Sequence, residues 1–483
     1  MKLNELLAGV DVIRSTVDME TQVTNVCYDS RKVTPGSLFV AVIGYVTDGN
    51  KYISAALEKG AVAVVTAVEP SGDTPYILVS SDRLALAQIG ANFYGKPAES
   101  VKLIGITGTN GKTSSTLLLK HILEQTKRAK VGLIGTMDIM IGQEAVPADR
   151  TTPESLDLQA LLAKMRDAGC EYAIMEVSSH AVALDRVGGM IYDVVAFTNL
   201  TEDHLDFHKT MENYCETKAK LFSRCRKAVA NRDDAWFAKM VSNCGCPLLT
   251  TSAKEEAGLY ALDLRLLADG VTFRAVAGDE VADVKLPIPG KFTVYNAMTA
   301  LGCALQLGVT LTEGANALAT AKGVKGRVEV VPTPGKDYTI LIDYAHTPDG
   351  LENVLSAVKG FCEGRLIAVF GCGGDRDPIK RPIMGKIGVE IADYAIITSD
   401  NPRTEEPMSI IQDIVKGLPA EKKNYEIIEN RISSIHRAMD IAKKNDIIVL
   451  AGKGHETYQE IHGVKHHLDE REIVASYLEE TRE

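Results

Sequence analysis

Short buried-type strands alternate with helical segments along the whole of this 483-residue chain. Strand and helix in alternation are typical of a mostly parallel sheet covered by helices on both faces. The pattern is interrupted at Gly95-Lys96-Pro97 and again around Pro332 to Gly335. Because the chain is too long for one core, we predict three α/β domains. They are a smaller N-terminal domain (1–98), a central P-loop-type domain (99–331) and a C-terminal Rossmann-like domain (332–483).

Polar residues gather where the predicted strands end. In open α/β sheets, ligands bind beyond the carboxyl ends of the strands. Seven clusters have such a position: Thr107 onward, Glu176, and the segments 199–208, 343–346, 371–377, 400–403 and 452–456. Chance surface polarity would rarely repeat this placement, so the clusters are candidate binding residues.

Composition limits the compartment and the partners. The hydrophobic fraction of 45% is that of an ordinary soluble protein, and no apolar run approaches the roughly 18 residues of a membrane span. With neither a secretory signal nor an anchor in the pattern, we expect a cytoplasmic protein. The net charge of −11 argues against a nucleic-acid partner. Nine scattered cysteines, including the pair Cys244 and Cys246, lack a zinc-like spacing and are expected to be reduced, mostly buried thiols.

One glycine-rich segment predicts a phosphate site. Gly105-Ile-Thr-Gly-Thr-Asn-Gly-Lys-Thr113 stands between a predicted strand and a predicted helix. Glycines let backbone N–H groups approach phosphates, and the helix N-terminus adds partial positive charge. The ATP-binding residues are then Gly108, Thr109, Asn110, Gly111, Lys112 and Thr113. The spacing departs from the standard loop, and in this form it resembles the ATP site of the Mur ligases and of their relatives, the folylpolyglutamate synthases.

Transfer of a phosphoryl group to a carboxylate brings two anions together, so Mg²⁺ is expected beside the loop. Thr113 would offer its hydroxyl. Glu176 closes a buried-type strand and His204 lies in a polar segment, and each alone would more simply be a hydrogen-bonded structural residue. The family resemblance makes both Mg²⁺ ligands. It also implies that Lys218, otherwise a surface lysine, is carbamylated and behaves as a carboxylate, with Lys112, Lys218 and His204 as the catalytic residues.

The resemblance extends over essentially the whole chain. It implies further ATP contacts from Asn296, Arg327, Asp343, Tyr344 and His346, although Asn296 could equally be a helix cap. Asp29-Ser30-Arg31, Gly44-Tyr45 and Asp48-Gly49 are similar to the family's uridine-binding domain. Contacts to a UDP-muramyl-dipeptide are implied for Ser30, Thr151, Thr152, Ser178 and Arg186.

The segment Asp400-Asn401-Pro402-Arg403 could be a simple Asn-Pro turn. It is also the motif that marks the members of the family selecting meso-diaminopimelate. Diaminopimelate carries a carboxylate that lysine lacks, and a guanidinium can bind it through two parallel hydrogen bonds. The implied pocket comprises Arg376, Asp400, Asn401, Pro402, Arg403, Gly452 and Glu456, with Glu456 suited to the substrate's ammonium.

The expected function is therefore ATP-dependent ligation of meso-diaminopimelate to UDP-N-acetylmuramoyl-L-alanyl-D-glutamate, in peptidoglycan precursor synthesis. The D-glutamyl γ-carboxylate would form an acyl phosphate that the amine then attacks, with ATP and Mg²⁺ required and the enzyme acting as a monomer. His180 and His208 are both candidates for assisting proton removal. Two alternatives stay open: an L-lysine-adding ligase of the same family and a P-loop ATPase without ligase activity. A folylpolyglutamate synthase would leave the N-terminal domain unexplained.

Overall fold

The computed structural model describes residues 1–44, 47–148, 150–267 and 269–481. Tyr45, assigned above to the uridine-binding segment, lies outside these residues. The chain forms two compact units. The first comprises Met1–Tyr260, Ala277–Glu280 and Asn296–Gly314, and the second comprises Ala261–Val276, Val281–Tyr295 and Ala315–Glu483. In the described part of the chain, no helix is both long enough and apolar enough to cross a bilayer.

The N-terminal part of the first unit is a five-stranded sheet in the order β1-β5-β4-β3-β2, with β1 antiparallel to β5. Leu3, Leu38 and Ile77 are fully buried in its core. Its elements are α1 (Leu3–Leu6), β1 (Val12–Ser15), β2 (Asn25–Cys27), β3 (Ser37–Val40), α2 (Ile53–Glu58), β4 (Ala63–Thr66), β5 (Tyr76–Val79) and α3 (Asp82–Phe93).

The rest of the first unit is built on a larger sheet in the order β13-β12-β11-β6-β10-β7-β8-β9. The strands from β13 to β7 are parallel, and β8 and β9 add an antiparallel hairpin at the edge. The first half is β6 (Lys102–Thr107), α4 (Lys112–Lys127), β7 (Val131–Ile134), β8 (Asp138–Ile141), β9 (Glu144–Pro147), α5 (Ser155–Asp167), β10 (Tyr172–Glu176), α6 (Ser179–Ala183) and β11 (Tyr192–Phe197).

The chain then continues through α7 (Leu205–His208), α8 (Met211–Ala219), β12 (Cys225–Asn231), α9 (Phe237–Met240) and β13 (Leu248–Ser252). Strand β14 (Leu259–Leu267) begins beside β13, and β15 (Gly270–Ala277), β16 (Glu280–Leu286), α10 (Lys291–Gln306) and α11 (Leu311–Leu318) follow it.

The second unit contains a six-stranded sheet in the order β17-β18-β22-β19-β20-β21, parallel except for β17. Apolar clusters cover both of its faces. Its elements are β17 (Glu329–Val331), β18 (Thr339–Asp343), α12 (Pro348–Lys359), β19 (Leu366–Phe370), α13 (Lys380–Ile391), β20 (Tyr394–Ile397), α14 (Pro407–Val415), β21 (Tyr425–Ile427), α15 (Arg431–Ile441), β22 (Ile447–Ala451), the hairpin β23 (Tyr458–Ile461) and β24 (Val464–His467), and α16 (Glu470–Glu480).

Strand register explains why the polar clusters of the larger sheet meet. Glu176, the last residue of β10, is opposite Ile106 of β6, and Phe197 at the end of β11 is opposite Thr107. All five residues of β10 are buried, including Glu176. The turns that follow β6, β10 and β11 therefore leave the same edge of the sheet. The predicted three-domain α/β fold, with its mostly parallel central sheet, is confirmed.

Candidate functional site

The loop between β6 and α4 is held against the segment after β11. Thr109 N donates to Asn199 O at 2.8 Å, and Asn110 N donates to Asn199 Oδ1 at 3.0 Å. Gly108 has φ +148°, and a Cβ there would lie 2.0 Å from Thr198 Oγ1. Only glycine fits this approach without displacing the neighbouring segment.

Lys112 is the first residue of α4 and folds back over the loop. Its Nζ donates to Thr109 O at 2.7 Å and to Gly108 O at 3.0 Å. The ammonium is therefore held beside the loop backbone that would surround the phosphates. An ammonium at this position can neutralise phosphoryl oxygens.

Asn296 of α10 lies directly against the loop. Gly111, the residue before α4, has φ +83°, and a Cβ added to it would be 2.2 Å from Asn296 Oδ1. The structure thus places Asn296 with the predicted ATP-binding residues, which its sequence context alone could not establish.

Replacing Gly111 with alanine is expected to lower the free energy of unfolding by ~3 kcal/mol, combining left-handed backbone strain with the clash against Asn296. Gly169→Ala is a matched control, since Gly169 has φ +77° but nothing within 4 Å of its added Cβ. It carries the backbone strain alone, and we expect a loss of ~1 kcal/mol. Denaturant unfolding of both variants tests the difference, and equal losses would contradict the packing described for Asn296.

Thr113 and Glu176 offer two oxygen ligands at one point. Thr113 Oγ1 donates to Glu176 Oε1 at 2.9 Å. Thr136, which follows β7, donates to both carboxylate oxygens, through its backbone N to Oε1 at 2.9 Å and through Oγ1 to Oε2 at 3.0 Å. Glu176 is 1% exposed. Carboxylate and hydroxyl oxygens are the donors that Mg²⁺ prefers, so this pair fits that cation.

His204 and Lys218 both lie near the ring of Tyr214, and Lys218 also contacts the loop. The Tyr214 ring is 4.9 Å from Lys218 Nζ and 6.3 Å from the His204 ring. Lys218 is 1% exposed and donates to Gly108 O at 3.0 Å. Burial, reinforced by the charge of Lys112, lowers the pKa of Lys218 well below its usual value.

A protonated lysine has no lone pair to offer a cation, whereas a carbamylated Lys218 would offer carboxylate oxygens. Within the described residues, His, Cys, Asp and Glu form no group of three arranged to hold a metal ion. Of the two proton-transfer candidates, the His180 ring is 4.9 Å from the His204 ring, and the His208 ring is 5.7 Å from that of His180.

Four of the residues predicted to bind the UDP-muramyl-dipeptide lie together. Thr152 Oγ1 donates to Glu176 O at 2.8 Å, and Ser178 N donates to Thr152 Oγ1 at 3.2 Å. Arg186 donates to Thr152 O at 3.1 Å. Thr151 Oγ1 is 3.0 Å from Thr136 Oγ1, which links this group to the Glu176 carboxylate.

Arg186 is also paired with Glu154, at 3.0 Å between Nε and Oε1. Its burial lowers the pKa of the guanidinium, and the charge of Glu154 opposes that shift. Ser30 begins a short 3₁₀ helix capped by Asp29, and its carbonyl accepts from Lys59 Nζ at 3.1 Å. It has no described contact with the Thr152 group.

In the second unit, the other predicted ATP-binding residues lie around the ring of Tyr344. Tyr344 lies 5.4 Å from the Arg327 guanidinium and 4.6 Å from the His346 ring. Asp343, at the end of β18, accepts from Val328 N at 2.8 Å. Burial raises the pKa of Asp343, and the nearby charge of Arg327 opposes this. The structure therefore brings together these four residues.

The predicted amino-acid pocket follows β20 and β22. Asn401 Nδ2 donates to Glu456 Oε2 at 2.8 Å, and a Cβ on Gly452 would lie 2.4 Å from Asp400 Oδ2. Arg403 has φ +51° and donates through Nη1 to Gly374 O at 2.7 Å. A substitution to a β-branched residue at Arg403 would be strained whatever its chemistry.

Arg403 is also held by the hairpin β23–β24. Its backbone N donates to Glu460 O at 3.0 Å, and its Nε lies 3.4 Å from Glu460 Oε2. Pro402 presents its carbonyl to Gly374, where a Cβ would be 2.0 Å away. Arg376, by contrast, is exposed and donates to Asp375 O at 3.2 Å. It lies beside the pocket's loop without a described contact to Arg403.

Sequence reasoning missed three residues that these contacts define. Thr136 holds both oxygens of Glu176, Glu460 holds Arg403, and Lys453 donates to Asn401 Oδ1 at 2.9 Å. For Lys453 a signal was available, because it lies inside the segment Gly452 to Glu456 that was singled out. Thr136 and Glu460 carry no comparable signal.

Three family models match the chain. They are the Mur ligase family catalytic domain over residues 22–94, the Mur ligase middle domain over 106–304 and the Mur ligase glutamate ligase domain over 326–454. The chain belongs to the Mur ligase family. It is an ATP-dependent, amide-bond-forming ligase.

Individual relatives are similar over their full lengths. The chain is 45% identical to the UDP-N-acetylmuramoyl-L-alanyl-D-glutamate--2,6-diaminopimelate ligase of Clostridioides difficile (strain 630), over 99% of both chains. It is 47% identical to the protein of the same name from Caldanaerobacter subterraneus subsp. tengcongensis, over 100% of both. A solved structure of a ligase with that name matches with a TM-score of 0.78 and 32% identity, covering 100% of this chain and 99% of that one.

Proposed function

We propose that this protein joins meso-diaminopimelate to the D-glutamate γ-carboxylate of UDP-N-acetylmuramoyl-L-alanyl-D-glutamate, in the synthesis of peptidoglycan precursors. The observation that carries the proposal is the pocket around Arg403 and Glu456. It supplies a guanidinium for a carboxylate and a carboxylate for an ammonium, which are the two charged groups at the second amino-acid end of diaminopimelate. The full-length similarity to ligases with this name supports the same substrate.

In this reaction the γ-carboxylate attacks the γ-phosphate of ATP and forms an acyl phosphate, with ADP leaving. Lys112 and the backbone amides at the N-terminus of α4 stabilise the charge that develops on the phosphoryl oxygens. The amine of diaminopimelate then attacks the acyl carbon, and phosphate leaves from the tetrahedral intermediate. Arg186 and the hydroxyls of Thr152 and Ser178 would bind the dipeptide beside Glu176.

Thr113 and Glu176, with His204 and a carbamylated Lys218, would hold Mg²⁺. The cation would supply positive charge that offsets the repulsion between the carboxylate and the γ-phosphate. The burial of Lys218 beside the Gly108 carbonyl supports its modification, because a buried ammonium is costly. Mass analysis of peptides prepared without acid tests this directly.

The remaining assignments extend the proposal. Asn296, Arg327, Asp343, Tyr344 and His346 contact ATP, Ser30 contacts the uridine end, and the enzyme works as a cytoplasmic monomer. We place the domain boundaries after residues 98 and 331. The family matches support this division into three domains. The match to the glutamate ligase domain begins at residue 326, and β17, which ends at residue 331, pairs with β18 of the C-terminal sheet.

Phosphate release tests the proposal. The purified protein would be given ATP, Mg²⁺ and UDP-N-acetylmuramoyl-L-alanyl-D-glutamate, with meso-diaminopimelate, L-lysine or no amino acid. We expect release with diaminopimelate only. Release with lysine would instead identify a lysine-adding ligase, and equal release without any amino acid would indicate an ATPase.

A further inference from the structure

Lys453 is buried against three residues of the predicted amino-acid pocket. Its side chain is 0% exposed. Its Nζ donates to Asn401 Oδ1 at 2.9 Å and to Glu456 Oε2 at 3.2 Å, and it lies 3.7 Å from Asp400 Oδ1. A buried ammonium is costly unless it is paired and hydrogen-bonded, and these three groups are all residues of the predicted pocket.

The contacts fix the orientation of the Glu456 carboxylate. Both hydrogen bonds described for it, from Lys453 Nζ and from Asn401 Nδ2, reach Oε2. Asn401 is held in turn, because its Oδ1 accepts from Lys453 and from Glu460 N at 2.9 Å. Lys453 therefore holds Glu456 both directly and through Asn401, and Oε1 is the oxygen left to meet a ligand.

The charges lead to the same conclusion. Asp400 and Glu456 place two carboxylates in a largely buried space, where like charges repel strongly. The ammonium of Lys453 offsets one of them. Together Asp400, Glu456 and Lys453 carry one net negative charge, which the ammonium of one substrate molecule would neutralise.

We propose that Lys453 is a positioning residue for the amino-acid substrate, and this inference rests on the function proposed above. Lys453 does not contact the reacting atoms. It keeps Glu456 in the conformation that receives the substrate's ammonium, and it keeps Asn401 in the orientation that supports Glu456. Its loss should therefore weaken amino-acid binding and leave ATP binding and the chemical step largely intact.

Lys453→Met in the full-length enzyme tests this. Steady-state kinetics with ATP and the UDP-dipeptide saturating should show the KM for diaminopimelate raised about 10- to 100-fold, the range for losing hydrogen bonds to a charged group. The kcat and the KM for ATP should change only a few-fold. Both Lys453 and Lys465 have their Nζ over the Tyr458 ring, at 5.7 Å and 4.2 Å. Lys465 lies exposed on the hairpin, so Lys465→Met is the matched control.

A second comparison separates positioning from general support of the fold. In the double variant Lys453→Met/Glu456→Gln, the KM for diaminopimelate should equal that of Glu456→Gln alone, because Lys453 acts through Glu456. If Lys453→Met does not fold, Lys453→Gln, which keeps a donor without the charge, replaces it in both measurements.

An unchanged KM for diaminopimelate, or effects of the two substitutions that multiply, would overturn the inference. An equal fall in activity at every diaminopimelate concentration would also overturn the inference, because that result reports only a loss of folded protein. An unmutated enzyme that does not use diaminopimelate would instead overturn the proposed function, so the two failures are distinguishable.

Discussion

Arg403→Ala is expected to lower kcat/KM for meso-diaminopimelate by about 10³-fold, the effect of leaving a buried substrate carboxylate without its partner. The guanidinium is held in place by Gly374 O and Glu460, so little of its binding energy is lost in ordering it. L-Lysine lacks that carboxylate. Any slow reaction with lysine should therefore change only a few-fold, and the ratio of the two kcat/KM values is the quantity to measure.

Arg437→Ala is the matched control for Arg403→Ala, because Arg437 is a half-exposed arginine of the same unit that pairs with Glu426 at 2.9 Å. It should leave both kcat/KM values unchanged. If Arg403→Ala lowered the rates with diaminopimelate and lysine by the same factor, Arg403 would not be the residue that selects the substrate.

Lys112→Met is expected to lower kcat by about 10³-fold or more, because one preorganised positive charge at the transferring phosphoryl group is lost. The thermal midpoint of the variant reports how much stability the substitution costs, including the loss of the hydrogen bonds from Lys112 Nζ to Gly108 O and Thr109 O. Single-turnover phosphate release measures the chemical step without product dissociation.

Lys127→Met provides the comparison for Lys112→Met. Lys127 is the last residue of the same helix, is exposed, and donates to Gly308 O at 2.7 Å. Its replacement should leave kcat within two-fold, roughly the range for a surface substitution. A similar fall in both variants would mean that a change in the helix, and not the lost charge at the loop, lowers the rate.

The sequence predicted the parts of this site that follow from strand order along the chain. Gly108 to Thr113 come directly after a buried-type strand and Glu176 closes another, and the parallel pairing of β6 with β10 brings them to one edge. In the second unit, Asp343 ends strand β18, and Asp400 and Gly452 come after strands β20 and β22. Alternation of strand and helix was sufficient to predict these positions.

Residues whose role depends on a neighbour distant in the chain could not be predicted. Thr136 holds Glu176 only because β7 lies next to β10, although 40 residues separate the two side chains. Glu460 reaches Arg403 from a hairpin that the sequence pattern did not predict. Cys225 meets the Cys246 of the Cys-x-Cys pair at 3.4 Å because β12 and β13 are adjacent, and all nine cysteines are free thiols. Such contacts depend on sheet order, which propensity and periodicity do not determine.

The most direct test of the account is the mass of the product formed when diaminopimelate and L-lysine compete. UDP-N-acetylmuramoyl-L-alanyl-D-glutamate, ATP and Mg²⁺ would be incubated with the enzyme and equal concentrations of the two amino acids. We expect a single UDP-linked product, heavier than the starting material by one diaminopimelyl residue. A lysyl product, or an unchanged UDP-dipeptide after ATP has been consumed, would contradict it.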